Sequence, residues 1–161
     1  MISVTSIVYK PEGTLPDQGD HYLRIPLDSA NLVTGYGIEG DCKGGNPKRN
    51  LNIMSFETLE ALRKEGFSTL PGQMGEQVII QGLDVGTLAE GEQLQIGDHA
   101  RVVVVSHRTG CQRFEHIQGK TRQQAAGRMG IMAKVVTSGV ITVGDPVRKA
   151  AEKFGSPENE N

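Results

Sequence analysis

The chain has 161 residues, with 37% hydrophobic residues, 21 glycines and a formal net charge of -2 from 17 basic and 19 acidic side chains. That length suits one domain, and the apolar share suffices for a core, so wholesale disorder is excluded. The near-balanced charge excludes a chain-wide attraction to nucleic acid or an acidic membrane, and leaves room only for local basic sites. With 4% aromatics and no Trp, the core has to be built from Val, Ile, Leu and Ala.

Strand signals dominate in chain order. Residues 2–9 form a β-branched run that ends at Lys10-Pro11-Glu12-Gly13, and Tyr22-Leu23-Arg24-Ile25 is a short strand closed by Pro26. One helix is capped by Ser55 and terminated by Gly66, with Glu57 at its positive end and Phe56, Leu59 and Leu62 as an apolar stripe. Strands follow at 77–80, 93–96 and 101–105. The four valines of the last suggest burial on both faces. A weaker helix is placed between Gln118 and Arg128, and 132–136 with 140–143 reads as a hairpin around Thr137-Ser138-Gly139. Residues 1–148 are taken as a single domain and 149–161 as a polar, flexible tail. Short strands, Gly-rich turns and one convincing helix predict a mainly β protein, a closed or nearly closed β-barrel with one or two helices packed on it. No strand–helix alternation supports a doubly wound sheet.

The start has no charged segment followed by an apolar one, and no apolar run reaches the roughly 18 residues of a membrane span. With Cys42 and Cys111 standing alone, the expectation is a cytoplasmic protein with reduced thiols.

Cys111 is the leading candidate for chemistry. It follows the Val-rich strand, where scaffolds present functional groups, and Arg108, Arg113 and His107 offer positive potential that favours a thiolate. The plain alternative is an inert cysteine beside solvated arginines. Cys42 lies in a glycine-dense loop with Lys43, Lys48 and Arg49, which suit phosphate or carboxylate, or are simply a surface turn. Glu76, in Pro71-Gly72-Gln73-Met74-Gly75-Glu76, either lines a cavity or caps local amides. Gly119-Lys120-Thr121 lacks the first glycine of a phosphate loop, since Phe114 stands there. The four histidines have no metal-ligand spacing, and the cysteines make a poor zinc site.

Together these segments resemble a known family. Gly37-x-x-Gly40-Asp41, Arg49 before Ile53-Met54-Ser55, Pro71-Gly72-x-x-Gly75-Glu76, Gly91-Glu92-Gln93-Leu94-Gln95-Ile96-Gly97, lone Cys111, Gly130-Ile131-Met132-Ala133-Lys134-Val135 and Gly139 through Val147 occur in the order of the MOSC domain, the C-terminal domain of molybdenum cofactor sulfurases. The resemblance implies a MOSC-type barrel with a cleft and one functional cysteine, Cys111, as sulfur (persulfide) carrier or molybdenum ligand. It further implies that Lys43, Arg49, Glu76 and Arg108 line a site for molybdopterin. The implied partners are a pyridoxal-phosphate-dependent cysteine desulfurase as sulfur donor and a molybdenum enzyme as recipient, with no nucleic acid and no membrane. Two alternatives follow from the same resemblance: a non-catalytic molybdopterin carrier, and a reductase of N-hydroxylated compounds with an external electron donor. The chain departs from many relatives in having Thr109-Gly110 rather than a proline before the cysteine. Cys42 also stands where a basic residue is common, which raises a second thiol at the cleft.

Overall fold

A computed structural model describes residues 1–13 and 23–150. Eleven strands and two helices follow in order: β1 (Ser3–Tyr9), β2 (Ile25–Pro26), β3 (Ser29–Val33), β4 (Gly37–Ile38), β5 (Leu51–Ser55), α1 (Phe56–Lys64), β6 (Val78–Gln81), β7 (Gln93–Ile96), β8 (Ala100–His107), α2 (Gln112–Gln118), β9 (Ile131–Thr137), β10 (Gly139–Thr142) and β11 (Val147–Ala150). The strand expected at 22–25 shifts to Ile25–Pro26, and Tyr22 lies outside the described residues. Lys149 and Ala150, expected in the tail, belong to β11, and the remainder of that tail also lies outside.

Eight strands form a curled sheet in the order β11-β7-β8-β9-β5-β6-β1-β2, and β10-β3-β4 form a second, small sheet. All pairs are antiparallel except β5 and β6, whose parallel pairing requires a crossover, supplied by α1. The curl brings the two sides of the sheet together at a seam. Val4 N donates to Asp145 O (3.0 Å), Gly144 N to Val4 O (2.8 Å) and Val147 N to Ile2 O (2.9 Å). No continuous ladder runs along that seam, so the barrel is nearly closed rather than closed. The family expectation of a β-rich barrel holds in that form.

Period-two alternation sorts side chains into two cores. Leu51 and Ile53 of β5, Val78 and Ile80 of β6, and Val102 and Val104 of β8 fill the barrel interior, joined by Leu32, Ile38 and Ile141 from the small sheet. Met54 and Ile79 point outward and meet Leu59 and Leu62 of α1, Phe114 of α2, and Phe67, Met74 and Met129. Gly130 lets β9 approach β5. Its φ is +83°, and a Cβ there would collide with the Ile53 carbonyl oxygen. Among the described residues no helix is long and apolar enough to cross a membrane.

Several expectations are corrected. The valines of β8 alternate, with Val103 and Val105 only half-buried, because the outer face of that strand is incompletely covered. The 132–143 hairpin does not form, since a single residue, Ser138, separates β9 from β10, too few for a reversing turn. Ser138 Oγ instead accepts from Thr34 N (2.8 Å), and the chain crosses into the small sheet, where β10 pairs with β3. The second helix lies upstream of its expected place, at Gln112–Gln118. Gly119 adopts a left-handed conformation (φ 66°) and ends it, and only a 3-10 turn at Arg122–Ala125 follows. Ser55 precedes α1 but does not cap it. Its hydroxyl donates to Leu83 O (2.6 Å) and accepts from Val85 N (2.8 Å), binding the neighbouring turn. Phe56 is 41% exposed, so the buried stripe of α1 is Leu59 and Leu62 alone.

Candidate functional site

Asn50 immediately precedes β5, and Asn52 lies on the strand two residues before Met54. On the same side lie Gln77, the segment 41–49 and the end of β8. These surround a cavity of about 220 Å³ whose cations are Arg24, Lys43, Arg49 and Arg108, and among the described residues no carboxylate lines it. Lys43, Arg49 and Arg108, three residues singled out from the sequence, are thus brought together from distant segments. Arg24 was not anticipated as a site residue. It is the residue before β2 and has no local signal, and the pairing of β2 with β1 brings it alongside. Lys48 does not line the cavity.

The cavity floor is a hydrogen-bonded mesh. Asn52 N donates to Gln77 Oε1 (2.7 Å), and Asn52 Nδ2 donates to Gly75 O (3.3 Å). Asn50 Oδ1 accepts from Val135 N (3.1 Å), which fixes β5 against β9. Arg108 donates to Met129 O (2.9 Å) and to Met74 O (3.0 Å), and so ties two loops to the end of β8. A guanidinium held at two points presents its remaining edge in a fixed direction.

Glu76, expected to bind cofactor, does not line the cavity. It is wholly buried behind Gly75, accepting from Gly72 N (2.6 Å) and Met74 N (3.2 Å). Burial pushes its carboxyl above the usual carboxylate range, and the backbone amides and nearby Arg108 offset part of that rise. It shapes the 71–76 loop from within.

Cys111 is exposed and unbridged, and it immediately precedes α2. It lies three residues beyond Arg108 but outside the ring of lining residues. Arg122 packs against Gly110, the residue before Cys111, and is held by Glu115 at 3.0 Å. His107 turns away, its Nε2 lying 3.0 Å from Leu88 O. Arg113 Nη2 is buried without a hydrogen-bond partner among the described residues, a donor that an anionic ligand would satisfy. Cys42 is exposed too, next to Lys43, with its amide donating to Lys10 O (2.8 Å). Among the described residues no three His, Cys, Asp or Glu side chains cluster as metal ligands. A second, larger cavity of about 590 Å³ lies elsewhere, between the first turns of α1, the 82–87 turn and Gly127–Gly130, and none of the residues chosen from the sequence lines it.

The arrangement suits an oxyanion: several cations, neutral amides and a soft thiol nearby. A model of the MOSC domain matches residues 40–148, which include the 41–49 segment, Arg108 and Cys111. The chain belongs to the MOSC domain family. No curated protein matches it in sequence. Solved structures of similar shape include YuaD from Bacillus subtilis, at 21% identity and a TM-score of 0.70, covering 91% of this chain and 94% of that one. YiiM from Geobacillus stearothermophilus is 17% identical with a TM-score of 0.71 over 97% of this chain and 78% of its own. YiiM from Escherichia coli is 20% identical with a TM-score of 0.69 over 94% and 71%. At these identities the structural likeness establishes the fold. The MOSC family itself is associated with the molybdenum cofactor.

Proposed function

We propose that this MOSC domain serves molybdenum cofactor maturation, holding the anionic end of a molybdopterin in the cationic cavity and carrying sulfur on Cys111. The observation that carries this reading is the cavity itself. Four cations from three separate segments converge on about 220 Å³, and among the described residues no carboxylate joins them in the lining. That volume accommodates a phosphate-sized group and leaves a pterin ring to extend through the mouth. The donor set fits such a ligand, since arginine forks match phosphate oxygens and thiolate sulfur is a soft ligand. When bound, the cofactor supplies a molybdenum centre with sulfur in its coordination sphere.

In this reading Lys43, Arg49, Arg24 and Arg108 bind and orient the anion, and the amides of Asn50, Asn52 and Gln77 complete its contacts. Cys111, exposed beside Arg122, attacks the terminal sulfur of a persulfide presented by a pyridoxal-phosphate-dependent cysteine desulfurase. The new S–S bond forms as the donor's S–S bond breaks, and the donor leaves as a thiolate, so no external oxidant or reductant is needed. The recipient is a molybdenum enzyme. After anaerobic incubation with cysteine desulfurase and cysteine, mass spectrometry should find one added sulfur on Cys111. Cys111→Ser should lose that addition while unfolding at the wild-type temperature, because the thiol makes no buried contact. Sulfur loading of Cys111→Ser at the wild-type level would defeat the proposal.

A second reading, a carrier that shields the cofactor without transferring sulfur, is favoured by one observation: Cys111 stands outside the cavity lining. Sub-stoichiometric protein that accelerates sulfuration of a molybdenum enzyme supports transfer, and strict one-to-one protection supports the carrier.

A further inference from the structure

Among the described residues no carboxylate lines the cavity, yet one is bonded to its wall. Asp41 is completely buried. Its Oδ1 accepts from Lys10 N (3.1 Å) and from Lys43 N (3.2 Å), and its Oδ2 accepts from Gln77 Nε2 (2.9 Å). Gln77 Oε1 in turn accepts from Asn52 N (2.7 Å). A continuous chain of bonds therefore runs from the 41–49 segment, which carries Lys43 and Arg49, to the β5 and β6 floor. The carbonyl of Asp41 is used as well, accepting from Gly44 N (3.0 Å).

We infer that Asp41 is a positioning residue for anion binding, setting the separation of the two cavity walls through Gln77 and placing Lys43 over the floor. The inference rests on the anion-binding reading of the cavity given above. Two physical effects of Asp41 oppose each other there, and this makes the role testable. As a charge, a carboxylate behind the wall repels an anion, so neutralising it should tighten binding. As a clamp, it holds a cationic wall in place, so disabling it should weaken binding.

Asp41→Asn separates the two effects. The amide has the same size, but in either orientation it sets an N–H donor against another donor, Gln77 Nε2 on one side or the Lys10 and Lys43 amides on the other. Gln77 cannot turn to accommodate this without releasing Asn52 N. The link therefore breaks even as the negative charge disappears. Pairing it with Gln77→Glu restores both features: the amide at 41 donates, the carboxylate at 77 accepts from it and from Asn52 N, and the total charge returns to that of the wild type.

The experiment is a titration of the intact chain with inorganic phosphate, followed by ¹H–¹⁵N chemical shifts, with thermal unfolding measured in parallel. With the relief of charge repulsion set against it, losing the clamp corresponds to about one ordinary hydrogen bond, so Asp41→Asn should weaken phosphate binding roughly five- to tenfold. Lys43→Ala should also weaken it. Adding Asp41→Asn to Lys43→Ala should then change the affinity less than about twofold, the signature of one residue acting through the other. Because Gln77 lines the cavity, the carboxylate of the D41N/Q77E pair now faces the anion, so the pair is read by stability: it should recover the unfolding temperature lost in Asp41→Asn, and failure to recover it would overturn the clamp. Should Asp41→Asn not fold, Gln77→Met breaks the same link with the charge of Asp41 intact and should weaken binding by at least as much, since no repulsion is relieved and a lining amide is lost; unchanged binding there would overturn the role. Equal or tighter binding by Asp41→Asn, or additive losses in the double variant, would overturn the role of Asp41 alone. If the wild type shows no phosphate binding, or if Arg49→Ala leaves binding unchanged, the anion reading of the cavity fails and Asp41 loses its role with it.

Discussion

Replacing Glu76 by Gln tests how the loop beside the cavity is held. Both carboxylate oxygens are in use, one accepting from Gly72 N at 2.6 Å and the other from Met74 N at 3.2 Å. A glutamine of the same length keeps one acceptor and turns its NH₂ toward a backbone N–H, leaving two buried donors facing each other. The loss of one charge-assisted bond together with an unsatisfied amide comes to roughly 2 kcal/mol at neutral pH. For a chain of this size that lowers Tm by about 4–8 °C. Urea unfolding of the two proteins between pH 4 and pH 8 checks both magnitude and sign. Because burial raises the carboxyl in the folded protein, its stabilising contribution is complete below the unfolded-state value and declines as pH rises through the folded one. The advantage of wild type over Glu76→Gln should therefore be greatest at the acidic end and shrink toward neutrality. A variant as stable as wild type throughout would show that Glu76 does not organise the loop, and a gap that widens with pH would show that its charge is not disfavoured by burial.

Two further outcomes follow from the fold. Gly130→Ala has to adopt a left-handed backbone and push against the Ile53 carbonyl, so it should destabilise by about 3 kcal/mol or more, measured as a drop in the urea midpoint. The Tyr36 phenol donates to Glu12 (2.7 Å), and that bond, with burial and the charges of Glu12 and Asp41, pushes it up to about 12. Ultraviolet titration should show one late tyrosine ionisation that disappears in Tyr36→Phe, and the stability this group contributes should be lost as pH rises from about 10 toward 12.

Strands whose own residues specify them were readable. The β-branched runs of β1 and β9 and the alternation of β7 end within a residue or two of their glycine or proline stops, and the valine-rich β8 ends three residues before Gly110. Strands defined by their partners were not. β3 (Ser-Ala-Asn-Leu-Val) and β11 (Val-Arg-Lys-Ala) carry mixed residues and exist because β10 and β7 pair with them. The hairpin was misplaced because Thr137-Ser138-Gly139 resembles a turn locally, whereas Gly139 serves close approach: a Cβ there would lie 2.7 Å from Ala100 N. At the site, Lys43, Arg49 and Arg108 stood out as cations beside glycines or a strand end, but Arg24 reaches the cavity only through tertiary pairing. A usable signal was overlooked in Asn50 and Asn52, two amides at period two leading into an otherwise buried strand. Asp41, visible in the sequence only as part of the Gly37-x-x-Gly40-Asp41 pattern, has partners 31 and 36 residues away that no local pattern reveals.

The seam between residues 2–4 and 144–147 has a consequence for biogenesis. The first strand made is also one that waits longest for its neighbour, since nearly the whole chain must be synthesised before Val4 can bond Asp145. Until then β1 can pair only with β2, at Val8 and Tyr9, and with β6, so the seam edge at residues 2–4 stays open to stray chains. Refolding should therefore be slow for the size of the molecule, with locking of that flank as its late event.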